Sequence, residues 1–161
     1  MRIGICAIAS PLEIPYLREW FEHHQAMGVN EFILFLNDWT PVDMVVFNKL
    51  FWKEMNEGIV KAHRLDGVAM QMPAYNAGTI MANQQNLDWC AFIDIDEFLT
   101  IRSDRTLEDI LSDFSDIPSL VLRWRLFSSG GQETVPVVNG RKNFSVKRFT
   151  KCCPRLEELT K

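Results

Sequence analysis

The sequence predicts an α/β fold: a doubly wound, mostly parallel sheet with helices on both faces and antiparallel pieces toward the C-terminus. Three observations predict it. Short apolar runs of strand length alternate with longer segments of helical periodicity as far as Ile93. Helix start and stop signals fall between them. Strand followed by helix, repeated, forces crossover connections and so a parallel sheet with helices on its faces.

The first run, Ile3 to Ala9, is bounded by Ser10-Pro11 and reads as a fully buried strand. From Glu13 to Met27 the large side chains fall at Ile14, Leu17, Trp20, Phe21, His24 and Met27, one face of a helix, and Gly28 supplies the C-terminal cap. Phe32 to Leu36 is a second buried strand. Thr40-Pro41-Val42-Asp43 then opens a helix that runs to about Asn56, with a capping hydroxyl, a first-turn proline and an early acid. Ile59 to His63 is a weaker third strand. A helix from about Met70 to Asn86 follows, with Gly78 as its least favourable residue. Leu87 to Ile93 is the fourth strand and ends in Asp94-Ile95-Asp96-Glu97. Beyond it, Thr106 caps a short helix, Leu120 to Phe127 alternates as a strand, and Val137-Val138-Asn139-Gly140 signals a hairpin turn. One domain over 1–150 is expected, with residues 151–161 a loose or truncated tail.

Composition narrows the function. In 161 residues, 47% hydrophobic and 24% charged is the balance of a globular chain, and a net charge of −4 with mixed signs lacks the basic surface that nucleic acid demands. No segment approaches the roughly 20 apolar residues of a membrane span. Cys6 and Cys90 lie in strands, while the neighbours Cys152 and Cys153 lack zinc-knuckle spacing, so reduced thiols in a cytoplasmic protein are expected. Peripheral membrane association stays open.

The chemistry sits after the fourth strand. On a strand, Asp94 and Asp96 would project to one side, at the sheet edge where doubly wound folds hold ligands. Two carboxylates about 5 Å apart repel by roughly 3 kcal/mol at an effective dielectric near 20. A hard divalent cation relieves that repulsion and can bridge to the oxygens of a diphosphate. Solvated acids ending a strand explain the bare pair equally well.

Context separates the two readings. Tyr16-Leu17-Arg18-Glu19-Trp20, the Gly28-Val29-Asn30 turn, Ala74-Tyr75-Asn76 and the run from Phe92 to Leu99 occur in this order, followed by Phe127-Ser128-Ser129-Gly130-Gly131 and Arg148-Phe149-Thr150. Together they resemble the GT-A glycosyltransferases of the family-two and family-ninety-two kind, whose nucleotide-binding fold is Rossmann-like. The resemblance implies a nucleotide-sugar donor, a glycan or lipid-linked sugar acceptor, and Mn²⁺ or Mg²⁺ at the aspartate motif. It implies that Asp96 and Asp94 hold the metal, that Asp94 also contacts the donor, and that Glu97 supports the loop. Glu13, Asn37 and Asp38 would line the nucleotide pocket, and Gln71 and Asn76 would approach the donor from a helix start. Family relatives usually carry Lys-Asn-Glu where this chain has Pro11-Leu12-Glu13, so the acid alone is retained.

His24 on the apolar helix face reads as a core residue, and His23 and His63 lack ligand partners at metal spacing. Arg123 and Arg125 could clamp a diphosphate or face solvent. Trp39, in a loop after Asn37-Asp38, is a candidate for stacking on a base or sugar. No catalytic base is assigned, with Glu133 offered for that role. The rivals are a haloacid-dehalogenase-like phosphatase, which usually wants Thr or Val where this chain has Phe98, and a noncatalytic, truncated remnant that binds nucleotide or glycan.

Overall fold

The structure, a computed structural model, describes residues 1–122, 137–138 and 141–142. The chain divides into two compact units, Met1–Ile95 and Asp96–Lys161. The first unit is built on four parallel strands: β1 (Ile3–Ala9), β2 (Glu31–Asn37), β3 (Val60–Leu65) and β4 (Trp89–Phe92), in the order β3-β2-β1-β4. Register is continuous, with Cys6 opposite Ile33 and Phe92, and Leu34 opposite Ala62. The chain steps outward from β1 through β2 to β3 and then crosses back to the far side of β1. The predicted α/β class, with a parallel sheet flanked by helices, is observed.

Three helices connect these strands. The first, α1 (Ile14–Ala26), follows a short 3-10 turn at Pro11–Glu13, and α2 (Pro41–Asn56) starts on a capping box in which Thr40 and Asp43 exchange bonds. The third is α3 (Gln71–Gln84). All three stop by one device. The residue after the C-cap is left-handed (Gly28, Gly58 and Asn86), and the next amide reaches back to the carbonyl of His24, Glu54 or Ala82. This is the Schellman arrangement, which satisfies carbonyls the helix leaves open.

The two faces of the sheet are packed differently. On one, Trp20 and Phe21 of α1 meet Phe32 of β2, and Phe21 continues through Phe51 and Phe47 of α2 to Trp39. These rings are buried, and each buried large side chain stabilises by roughly 1.5–3 kcal/mol. Arg18 fastens α1 to α2, donating to Glu54 (2.8 Å) and the Leu50 carbonyl (3.1 Å) while lying over the Phe21 and Phe51 rings. On the other face, Cys6, Ile33 and Phe35 meet Ala74 and Ala82 of α3. Gly78 lies between those alanines, and a Cβ there would stand 2.3 Å from Cys6 Sγ. The glycine that weakens the helical pattern in sequence is what lets the helix lie close to β1.

At the amino edge of the sheet, Glu31 is buried but compensated. It accepts from Arg2 and from Lys61 Nζ (2.6 Å), and Lys61 also bonds Gln85 Oε1 (2.6 Å). β3 is an edge of this sheet and carries Lys61, His63 and Arg64, which explains its weaker apolar signal in sequence.

The second unit contains α4 (Leu107–Ser112), capped by Thr106 and Asp109 as predicted, with Leu107, Ile110 and Leu111 buried. Strands β5 (Val137–Val138) and β6 (Arg141–Lys142) pair antiparallel, while Asn139-Gly140, where the hairpin turn is expected, lies outside the described residues. The strand expected at Leu120 to Phe127 is not present at Leu120, Val121 or Leu122, and its remainder, with Arg123 and Arg125, lies outside the described residues.

Two predictions follow from this packing. Gly78→Ala should lower stability by about 1–3 kcal/mol in urea unfolding, because overpacking against Cys6 outweighs the roughly 1 kcal/mol gain in helix propensity. His24 is buried, its Nδ1–H donating to the Trp20 carbonyl (2.8 Å), and burial lowers its pKa to about 3. The unfolded chain therefore takes up a proton near pH 6.5 that the folded chain refuses. Stability from this site is present above that pH and should fall by up to about 1.4 kcal/mol per pH unit on acidification toward 3. His24→Gln should flatten that slope in a pH series of unfolding midpoints.

Candidate functional site

The reversal of strand order between β1 and β4 creates the crevice in which open α/β sheets bind ligands, beyond the carboxyl ends of the strands. Four of the candidate residues in the first unit follow a strand end at that edge. Glu13 comes after β1, where its Oε2 accepts from the Ser10 amide (2.6 Å) and braces the turn into α1. Asn37 and Asp38 end β2. Asp94 follows β4.

Asp38 is left-handed, with φ at 56°, a conformation that Asp tolerates better than most residues. Its Oδ1 accepts from the Gly67 amide (2.9 Å) and its Oδ2 from Asn37 Nδ2 (3.0 Å), so it ties the end of β2 to the loop after β3. Asn37 Oδ1 is shut off from solvent and receives no hydrogen bond from any described residue.

Trp39 corrects the stacking expectation. Its ring is fully buried against Phe47, and its Nε1–H donates to the Ala9 carbonyl (2.8 Å), closing the loop after β2 over the end of β1. An indole whose polar hydrogen finds a partner inside is more stable in the core than exposed in a loop.

The start of α3 meets Asp94. Gln71 and Tyr75 are one helical turn apart and so share a side. Tyr75 Oη donates to Asp94 Oδ1 (3.2 Å), while Gln71 Nε2 reaches both that oxygen (3.3 Å) and Tyr75 Oη (3.2 Å). The tyrosine ring is half-buried and packs on Phe92, with centroids 5.1 Å apart. Burial, chiefly, pushes the Tyr75 hydroxyl up to about 12. Asn76 is exposed on the helix and is not brought to Asp94. Tyr75 has no assigned role in the sequence reading, although it belongs to the Ala74-Tyr75-Asn76 motif. The available signal was its spacing of four from Gln71.

The aspartates differ from expectation in one respect. β4 stops at Phe92, and Ile95-Asp96 form a turn, so strand geometry does not set the directions of the two carboxylates. Burial nevertheless alternates through the segment. Ile93, Ile95, Glu97 and Leu99 are buried, and Asp94, Asp96 and Phe98 are half-buried. Asp96 begins the second unit. Among the described residues no three His, Cys, Asp or Glu side chains cluster as a ready metal site. The neighbouring segments 10–13, 37–40 and 93–95 contain Glu13, Asp38 and Asp94 but no Lys or Arg. Glu133, offered as a base, lies outside the described residues.

No described helix is long and apolar enough to cross a membrane. No solved structure matches this chain. A rice protein (Oryza sativa subsp. japonica) described as a glycosyltransferase family 92 protein is 28% identical over 105 residues, covering 65% of this chain and 17% of that protein. This chain therefore spans about a sixth of the length of the curated relative it matches. The model of glycosyltransferase family 92 matches residues 9–159, nearly from the end of β1 onward. With that extent of match, on a four-stranded parallel sheet flanked by helices, the chain belongs to glycosyltransferase family 92.

Proposed function

We propose that this chain forms the nucleotide-sugar side of a GT-A-type glycosyltransferase, transferring a sugar from a nucleotide diphosphate donor to a hydroxyl of a glycan or lipid-linked sugar. Family membership supports glycosyl transfer. The observation that carries the finer reading is the acidic carboxyl edge: Glu13, Asp38 and Asp94 follow the ends of three strands, in segments that contain no Lys or Arg. A nucleotide diphosphate is itself anionic, and each carboxylate about 5 Å away would repel it by roughly 3 kcal/mol per unit charge at an effective dielectric near 20. A cation resolves that conflict.

Mn²⁺ or Mg²⁺ fits the donor set, since small divalent cations are bound through one or two carboxylates, with waters and substrate phosphates completing the shell. Asp94 and Asp96 would hold it. When bound, such an ion neutralises charge on the departing diphosphate. The chain's own residues do the rest. Asn37 and Asp38, at the end of β2, would take part in donor recognition. Glu13 stiffens the loop after β1, and Gln71 orients Asp94 from the first turn of α3. Asn76 is proposed at the rim of the donor site. On this reading the domain would work in the cytoplasm or at a membrane surface.

The test is thermal unfolding of the chain with UDP, GDP and their sugars, with and without Mn²⁺. Ligand at about 100 times its dissociation constant stabilises by about 2.7 kcal/mol, or roughly 5–11 °C for a domain of this size. A Mn²⁺-dependent shift with one nucleotide is expected. Asp96→Ala should abolish that shift while leaving the ligand-free melting temperature unchanged. Binding without nucleotide release from a sugar nucleotide would make the chain a noncatalytic binding domain, and Mn²⁺-independent behaviour in both proteins would remove the cation from the account.

A further inference from the structure

We propose that Tyr75, with Gln71, is the positioning residue that sets the Asp94 carboxylate for cation binding, an inference that rests on the cation reading above. Three observations carry it. The hydroxyl and the amide converge on one and the same oxygen, Asp94 Oδ1, and also bond each other, closing a triangle of 3.2, 3.2 and 3.3 Å. These contacts are individually long, and their effect lies in acting together on one oxygen.

The tyrosine is also held where it is. Its ring packs on Phe92, two residues before Asp94, and on the cluster of Cys6, Ile33, Phe35, Ala74 and Ala82. A half-buried ring wedged between α3 and the end of β4 has little rotamer freedom, so its hydroxyl is a fixed point against which the carboxylate is oriented. Being neutral, the phenol and the amide orient the carboxylate without cancelling the charge a cation needs. Groups that bond a metal-binding side chain from behind typically change metal affinity by 10–100-fold.

Tyr75→Phe removes the hydroxyl and keeps the ring. UDP and GDP are titrated into the full chain with Mn²⁺ and again in EDTA, and the ratio of the two affinities is the cation-dependent increment. Tyr75→Phe should reduce that increment about tenfold, with the affinity in EDTA and the ligand-free unfolding temperature unchanged. A purely structural tyrosine would instead lower the unfolding temperature or both affinities together. An unchanged increment overturns the proposal, as does an equal loss in EDTA. Should Tyr75→Phe prove unstable, Gln71→Met decides, since Gln71 is exposed: a several-fold smaller increment supports the clamp and an unchanged one overturns it. Asp94→Asn separates this proposal from the reading beneath it. If Asp94→Asn retains the full increment, the cation is not bound through Asp94 and both fall. If Asp94→Asn loses it while Tyr75→Phe does not, only the clamp falls.

Discussion

The site depends on how closely α3 can approach the sheet. Ala74, Gly78 and Ala82 recur every four residues and form a stripe of small side chains that faces Cys6, Ile33 and Phe35. Gly78 is the tightest point, where even a methyl group would overlap Cys6 Sγ. Gln71 and Tyr75 form a second row beside that stripe, one residue toward the C-terminus of the small position at each turn or three before it. The depth of α3 over β1 therefore sets where the hydroxyl and amide stand relative to Asp94. Contacts of 3.2 and 3.3 Å are already long, so lifting the helix would weaken them further.

The two edges of the sheet carry opposite electrostatic designs. At the amino edge Glu31 is buried between Arg2 and Lys61, with Gln85 completing the set. Burying that carboxylate carries a desolvation cost that its two cationic partners offset, and removing both would leave an unpaired charge inside. That cluster ties together the segment before β1, strands β2 and β3, and the end of α3. At the carboxyl edge Glu13, Asp38 and Asp94 follow β1, β2 and β4, in the short stretches 10–13, 37–40 and 93–95 that hold no Lys or Arg.

Much of this fold is legible from sequence because the features concerned are local or fully buried. β1 reads as an uninterrupted apolar run since a parallel strand covered on both faces needs apolar residues on both. Thr40 with Asp43, Thr106 with Asp109, and Gly28 mark helix ends by chemistry that involves only a few adjacent residues. Non-local facts are not legible in this way. Gly78 is unfavourable by helix propensity and required by packing, and only the position of Cys6 decides which matters more. Trp39 sits in a loop, where sequence suggests exposure, yet the Ala9 carbonyl gives its indole hydrogen a partner and makes burial favourable. The early end of β4 reflects a turn at Ile95-Asp96 inside a run whose apolar alternation continues through Leu99. Of the candidate site, the order of the acids along the chain and their places after successive strands follow from the strand reading. The bond from Tyr75 to Asp94 does not, because nothing local says which turn of α3 stands opposite the end of β4.

The chemistry of the partners on Asp94 bears on what the acidic edge is for. A carboxylate can be held in place either by a cation of the protein or by neutral donors. An Arg or Lys would orient it and at the same time neutralise it, leaving little to attract an external ion. A phenol and an amide orient it without themselves adding positive charge. Tyr75 donates from a phenol hydroxyl that stays protonated throughout the neutral range. The ring packed against Phe92 and Cys6 holds a neutral donor to a carboxylate that, on the reading proposed above, retains its charge for a divalent ion and the diphosphate it accompanies.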